Sequence, residues 1–235
     1  RHTTAQLDPA AFTRGLLDAA LARGARLVRG VLGGVLRDGT RLTGVVADGR
    51  PLAADVVVLT LGPWSRAVVA GLPLPKVGAL AGHSVLFRPA IPLTAHALFV
   101  SDASGDTPEL FPRADGTVYL CGRSTVASLP EDPATVRPDP EAIAALRALA
   151  ARLVPDLAAA PVVAAQACHR PITADHLPLI GRVPGLDNGY VATGHGPWGI
   201  LNAPATGEAL AELILDGAPR HVDLRPYDPA RLPPG

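Results

Sequence analysis

Apolar residues recur at helical spacing through Phe12, Leu16, Leu17, Ala20 and Leu21, which predicts a helix. Asp8 is a good N-cap, Pro9 suits the first helical position, where its missing N–H is not needed, and Gly24 supplies a stop. Arg26 to Val31 alternates as a strand would, and Gly30-Val31-Leu32-Gly33-Gly34 reads as a turn. Asp38-Gly39 and Asp48-Gly49 are hairpin-type turns bracketing a strand from about Leu42 to Ala47. The run from Ala54 to Leu61 is nearly continuous Val and Leu, which suits a parallel strand buried on both faces. Gly62-Pro63 ends it, and a short helix is expected over 66–71.

From Pro73 to about Pro133 the pattern changes to short strand-like pieces near Ser84–Phe87, Ala97–Val100 and Thr117–Cys121, separated by Pro, Gly and Asp clusters. That pattern predicts an antiparallel sheet in a second domain. Asp139 and Pro140 open a helix with Ile143, Leu146, Leu149 and Leu153 as its apolar stripe, and Pro155 stops it. Val162 to Cys168 is a further strand. The remainder contains strand, glycine-dense loop and helix, the last carrying Leu210, Leu213 and Ile214 on one side. Beyond Asp216 a Pro- and Arg-rich tail is expected to drape over the surface.

Composition narrows the function classes. The 235 residues are 48% hydrophobic, enough for a sizeable core. Twenty-one basic residues balance twenty-one acidic ones, and they are scattered, so neither nucleic acid nor an anionic membrane surface is an expected partner. No apolar run approaches the roughly 18 residues of a spanning helix. Two cysteines, Cys121 and Cys168, fit buried thiols in a reducing, cytoplasmic setting better than a disulfide framework. Arg-His-Thr-Thr at the start has no signal-peptide core, and the absence of Met suggests that the natural start lies upstream.

Several chemistries lack their signatures. There is no phosphate-loop G-x-x-x-x-G-K-[ST], no G-x-S-x-G elbow and no C-x-x-C pair. The seven His residues show no metal-ligand spacing, so no zinc or non-haem iron site is expected. What stands out is Thr193-Gly194-His195-Gly196-Pro197-Trp198-Gly199 between a strand and a helix. Glycines there let a ligand approach the backbone, and a helix N-terminus favours a group that becomes anionic.

Three stretches carry a resemblance. Arg170-Pro171-Ile172-Thr173-Ala174-Asp175-His176-Leu177-Pro178-Leu179-Ile180-Gly181, followed by Ala192-Thr193-Gly194-His195 through Gly199-Ile200 to Ala203-Pro204-Ala205-Thr206-Gly207, resembles the C-terminal signature of the D-amino acid oxidase superfamily of FAD-dependent oxidoreductases. The Val-rich run ending Gly62-Pro63-Trp64-Ser65 resembles that family's second FAD-contacting segment, and Asp8 to Leu17 resembles one of its helices. Glycine oxidase-like members carry a basic residue in the loop where this chain has Gly196-Pro197-Trp198. The family's opening strand and G-x-G-x-x-G loop are not in this chain, which suggests a fragment beginning after them.

The resemblance implies an α/β fold: a discontinuous, partial Rossmann-like FAD domain over 1–72 and 161–235, with an antiparallel substrate domain inserted at 73–160. It implies FAD as cofactor and a small-molecule amine or amino acid as substrate, oxidised at a C–N bond. Arg170 would hold a substrate carboxylate and His195 would lie beside the isoalloxazine. Cofactor contacts would come from Val31 on the adenine side and from Thr60, Gly62, Trp64, Gly194, Gly199, Ile200, Leu201 and Asn202 elsewhere. Asp175 reads as holding its own turn, and Trp198 as shaping the substrate pocket or capping the helix. An uncovered sheet edge would allow a homo-oligomer. The alternative is a degenerate, non-catalytic relative serving as a binding module.

Overall fold

The computed structural model describes residues 5–65, 69, 71–101 and 105–235. By contacts the chain forms two compact units, one of Leu7–Gly78 with Arg170–Gly235 and the other centred on Ala79–His169. Their junctions fall later than 72/73 and 160/161. The strand predicted at Val162 joins the sheet of the inserted unit, and that moves the second junction.

In the first unit, α1 (Pro9–Ala22) forms as expected, with Asp8 Oδ1 accepting the Ala10 and Ala11 amides at 2.9 Å. Its apolar stripe is not covered, and no residue of the helix is buried. Residues 26–31 are not a strand. They have no ladder partner, and Val31 instead ties to the Asp48 turn, its amide donating to Asp48 Oδ1 at 2.8 Å. The first strand starts where a turn was expected: β1 (Leu32–Asp38), β2 (Arg41–Ala47) and β3 (Arg50–Ala53) form an antiparallel meander. Asp48 and Gly49 both have positive φ, the combination that turns β2 back on β3.

Next comes β4 (Val57–Leu59), shorter than the apolar run suggested. Val57 and Leu59 are buried, but Val58 is 40% exposed, so the strand is covered on one face only. The helix expected over 66–71 lies largely outside the described residues.

The inserted unit is built on a five-stranded sheet. Its strands are β5 (Gly78–Phe87), β6 (Leu98–Phe99), β7 (Glu109–Pro112), β8 (Val118–Ala127) and β9 (Val162–Ile172), in the order β6-β7-β8-β5-β9. Its inner face packs Val85, Phe87, Leu110, Val118 and Leu120 against Leu146 and Ala150 of α2 (Pro140–Leu153). Asp139 caps that helix as expected, accepting the Glu141 amide at 2.8 Å. The cysteines are not the buried pair that composition suggested. Cys121 alternates with Val118 and Leu120 away from the core and is half-buried, and Cys168, on edge strand β9, is exposed.

The chain returns to the first unit with β10 (Leu179–Arg182), β11 (Gly189–Thr193) and α3 (Gly199–Asp216), which ends at left-handed Gly217. β11 pairs parallel with β4 and antiparallel with β10. One face of this sheet (Leu59, Leu179, Val191) packs on Leu42 of the meander. The other (Ile180, Tyr190) packs on Ala209 and Leu210 of α3. Buried Asn188 locks the layers: its Oδ1 accepts the Leu42 amide at 2.7 Å, and its Nδ2 donates to the Leu42 and Asp55 carbonyls at 2.7 and 2.6 Å. No described helix is long and apolar enough to cross a membrane.

Candidate functional site

Because β4 and β11 run parallel, their carboxyl ends deliver two loops side by side, where open α/β sheets place ligands. The two loops are twins. Each is a Gly-Pro-Trp 3-10 turn, Gly62–Trp64 and Gly196–Trp198, with the glycine left-handed at φ 57° and 56°. Each closes alike: Trp64 N–H donates to the Leu61 carbonyl at 3.2 Å and Trp198 N–H to the His195 carbonyl at 3.1 Å. The string repeats in the sequence, but its shared geometry depends on a strand pairing that local pattern does not reveal.

Side chains fix the loops to their surroundings. Buried Thr193 donates its hydroxyl to the Gly62 carbonyl at 2.9 Å, which joins the two loops directly. His195 Nε2 lies 3.0 Å from Thr206 Oγ1, pinning the second loop to α3. Burial holds the His195 imidazole below its ordinary pKa, so it is neutral near pH 7. Gly194 packs so closely on the preceding segment that a Cβ there would sit 2.9 Å from Thr173 Cγ2. That segment is held by Asp175, which accepts the Leu177 amide and takes Arg231 bidentately at 2.7 and 3.0 Å. The Arg231 guanidinium in turn holds the Asp175 carboxyl well below the usual carboxylate range. Asp175 thus does what the sequence suggested, with a tail arginine that sequence reading missed.

The helix start is open. Trp198 occupies the N-cap of α3 but makes no side-chain cap, so it does not cap the helix in the sense expected. Ile200, Leu201 and Asn202 are exposed on the first turn. Two cavities meet at His195. One of about 450 Å³ is largely apolar and lined by Val58, Thr60, Ala192, Gly199 and Ile214. The other, of about 280 Å³, is bounded by His176, Trp198, Asn202 and Tyr227. Thus Thr60, Gly62, Gly194, His195, Gly199 and Asn202 come together. Val31 does not: it sits 76% exposed beside the Asp48 turn. Arg170, near the end of β9, is half-buried and lines neither cavity. Thr193 and Thr206 organise the site through contacts that only folding reveals.

The FAD dependent oxidoreductase (DAO) family profile matches residues 1–213, well over half of the sequence. The chain belongs to that family. It is 35% identical over 199 residues to glycine oxidase of Pseudomonas aeruginosa, covering 84% of this chain and 51% of that protein. It is 31% identical over 235 residues to the Bacillus subtilis oxidoreductase YurR, covering 96% and 59%. The crystal structure of glycine oxidase from Geobacillus kaustophilus superposes with a TM-score of 0.80 at 28% identity, covering 93% of this chain and 56% of that one. The chain therefore spans about half the length of the relatives it matches.

FAD is the cofactor of this family, and the site's chemistry fits its flavin end. A Cβ at Gly62 or Gly196 would meet nothing within 4 Å, and at Gly199 only His195 Cβ at 3.9 Å, so the backbone is open to a flat ring. The uncapped N–H groups of α3 suit the part of a flavin that gains negative charge on reduction.

Proposed function

We propose that this chain supplies the flavin-facing half of an FAD-dependent oxidoreductase that oxidises the C–N bond of an amine or amino acid. The observation that carries this reading is the Thr193–Gly62 contact, which brings two glycine loops together beside an uncapped helix start. Held there by the two glycine loops and the first turn of α3, FAD would supply the hydride-accepting chemistry of C–N oxidation, with oxygen or a quinone as the final electron acceptor.

The protein's part is positioning. Gly62, Gly196 and Gly199 give backbone room, while the space at Gly194 is taken by Thr173. The amides of Gly199, Ile200 and Leu201, which precede the first intrahelical bonds, would face the anionic locus. Neutral His195, bonded to Thr206, holds the loop at the helix start and is a positioning residue in this reading. Arg170 lines neither cavity, and the family resemblance alone makes it the substrate-carboxylate partner in this reading, its planar fork matching a carboxylate bidentately. Relatives named glycine oxidase and D-amino-acid oxidase support small amino acids as the substrate class.

The test is to supply the protein with FAD and mix it anaerobically with a panel of amino acids and secondary amines. Substrate-dependent bleaching of the flavin supports the reading. Bound flavin that no amine or amino acid reduces would favour the non-catalytic alternative.

A further inference from the structure

Away from the twin loops, α3 and the tail that follows it bring three metal-type donors together. Glu208 and Glu212 are one turn apart on the helix, and His221 reaches them from the tail. One ligand atom from each lies within 4.8 Å of the other two. We propose that Glu208, Glu212 and His221 bind a Zn²⁺ ion that staples the tail to α3.

The donor set fits that class of ion. Imidazole with carboxylates suits zinc, whereas magnesium and calcium favour all-oxygen shells. At Zn–N and Zn–O distances of about 2.0–2.2 Å, tetrahedral ligands stand about 3.3 Å apart, so modest side-chain rotation closes the present spacing. The i, i+4 spacing holds both carboxylates on one rigid helix face. Glu212, the half-buried member, is already oriented, because its Oε2 accepts the Arg220 amide at 2.7 Å. Its other oxygen points to His221 Nε2, 3.9 Å away.

Local electrostatics favour a cation. The last turn of α3 carries no basic residue, and carbonyl dipoles converge there. Arg220 pairs with Asp216 and not with Glu208 or Glu212. A cavity of about 600 Å³ lined by Arg220 and His221 opens beside the cluster, leaving space for a water as fourth ligand. Sequence spacing missed this set because only one histidine contributes and the carboxylates sit on another element. The consequence reaches the site: the stapled tail carries Val222, Leu224 and Tyr227, which wall the smaller cavity beside His195.

The experiment is calorimetric titration of the full chain with ZnCl₂ and, separately, MgCl₂, compared with Glu212→Gln/His221→Ala. The side-chain carbonyl that Glu212→Gln introduces can still accept the Arg220 amide, and His221 is exposed, so the variant keeps the fold, which circular dichroism checks. Removing even an outer-shell partner costs about 10–100-fold in metal affinity, so losing two ligands should cost at least about a hundredfold. Expected is one zinc equivalent in the parent chain that the double variant loses, with no comparable magnesium binding. Absence of zinc binding, equal zinc binding by parent and variant, or equal affinity for magnesium would overturn the proposal. Exposed Cys168 and other histidines can take zinc adventitiously, and the parent-minus-variant difference separates that from the site.

Discussion

Thr193 donates its hydroxyl to the carbonyl oxygen of Gly62 at 2.9 Å, across 131 residues of sequence. This bond sets the spacing of the two Gly-Pro-Trp turns, because it runs from the last residue of β11 to the loop that leaves β4. Thr193→Val keeps the shape and removes this bond, while the Gly62 carbonyl still accepts the Ser65 hydroxyl at 2.7 Å, so it should destabilise by about 1 kcal/mol in urea unfolding. Thr193→Ser should restore most of the loss. Equal stability of the Val and Thr forms would show that the loops are not joined this way.

Asn188 makes a larger contribution. Three bonds from one buried side chain reach the meander at Leu42 and the start of β4 at Asp55. Asn188→Ala leaves those backbone groups without their partner, and the expected loss is about 3 kcal/mol. A loss below about 1 kcal/mol would mean that water replaces the amide and the layers do not depend on it.

Acid should release the tail. Asp175 has its folded-state pKa lowered, first by the Arg231 bond, which outweighs the opposing burial, and then by the weaker Leu177 and Thr173 contacts. A depressed carboxylate stabilises fully above its unfolded value, near 3.9, and the benefit fades as pH falls through the folded value. The parent chain should therefore exceed Asp175→Asn by about 1 kcal/mol at pH 7, with the gap closing below about pH 4. His195 works in another window. Burial lowers its folded-state pKa, so the unfolded chain takes the proton first, near pH 6.5; its contribution is complete above that value and declines below it. Unfolding curves from pH 2 to 8 for the parent, Asp175→Asn and His195→Asn separate the two.

Arg170 carries the substrate reading. In protein supplied with FAD, Arg170→Lys should raise the Michaelis constant for carboxylate substrates about tenfold or more, because a point charge cannot reproduce the fork. Flavin affinity should stay nearly unchanged. An unaltered constant for every active substrate would make Arg170 structural.

Features with local causes were the ones legible in the sequence. The Asp139–Pro140 cap, the stripe on α2, the Asp48-Gly49 turn and the α3 stop at Gly217 each depend on residues within a few positions. The strand expected at Arg26–Val31 failed because alternation alone does not supply a ladder partner, while β1, β3 and β7 form on pairings that pattern did not show. The same limit applies to the site. The glycines of both loops were visible, but Thr193, Thr206 and Arg231 act through contacts with residues far from them in sequence or hidden by folding. Burial was overestimated for Val58 and Cys168, whose apolar or thiol character does not specify which strand face is covered.

The central claim is that the loop after β4, the loop after β11 and the first turn of α3 form one flavin-facing surface. The direct measurement is an amide chemical-shift titration of the isotopically labelled chain with FAD. The expected result is saturable shifts concentrated at Gly62, Trp64 and Gly194 to Asn202, weak enough that desalting removes the cofactor. Shifts confined to the five-stranded sheet, or no shifts at millimolar FAD, would contradict it.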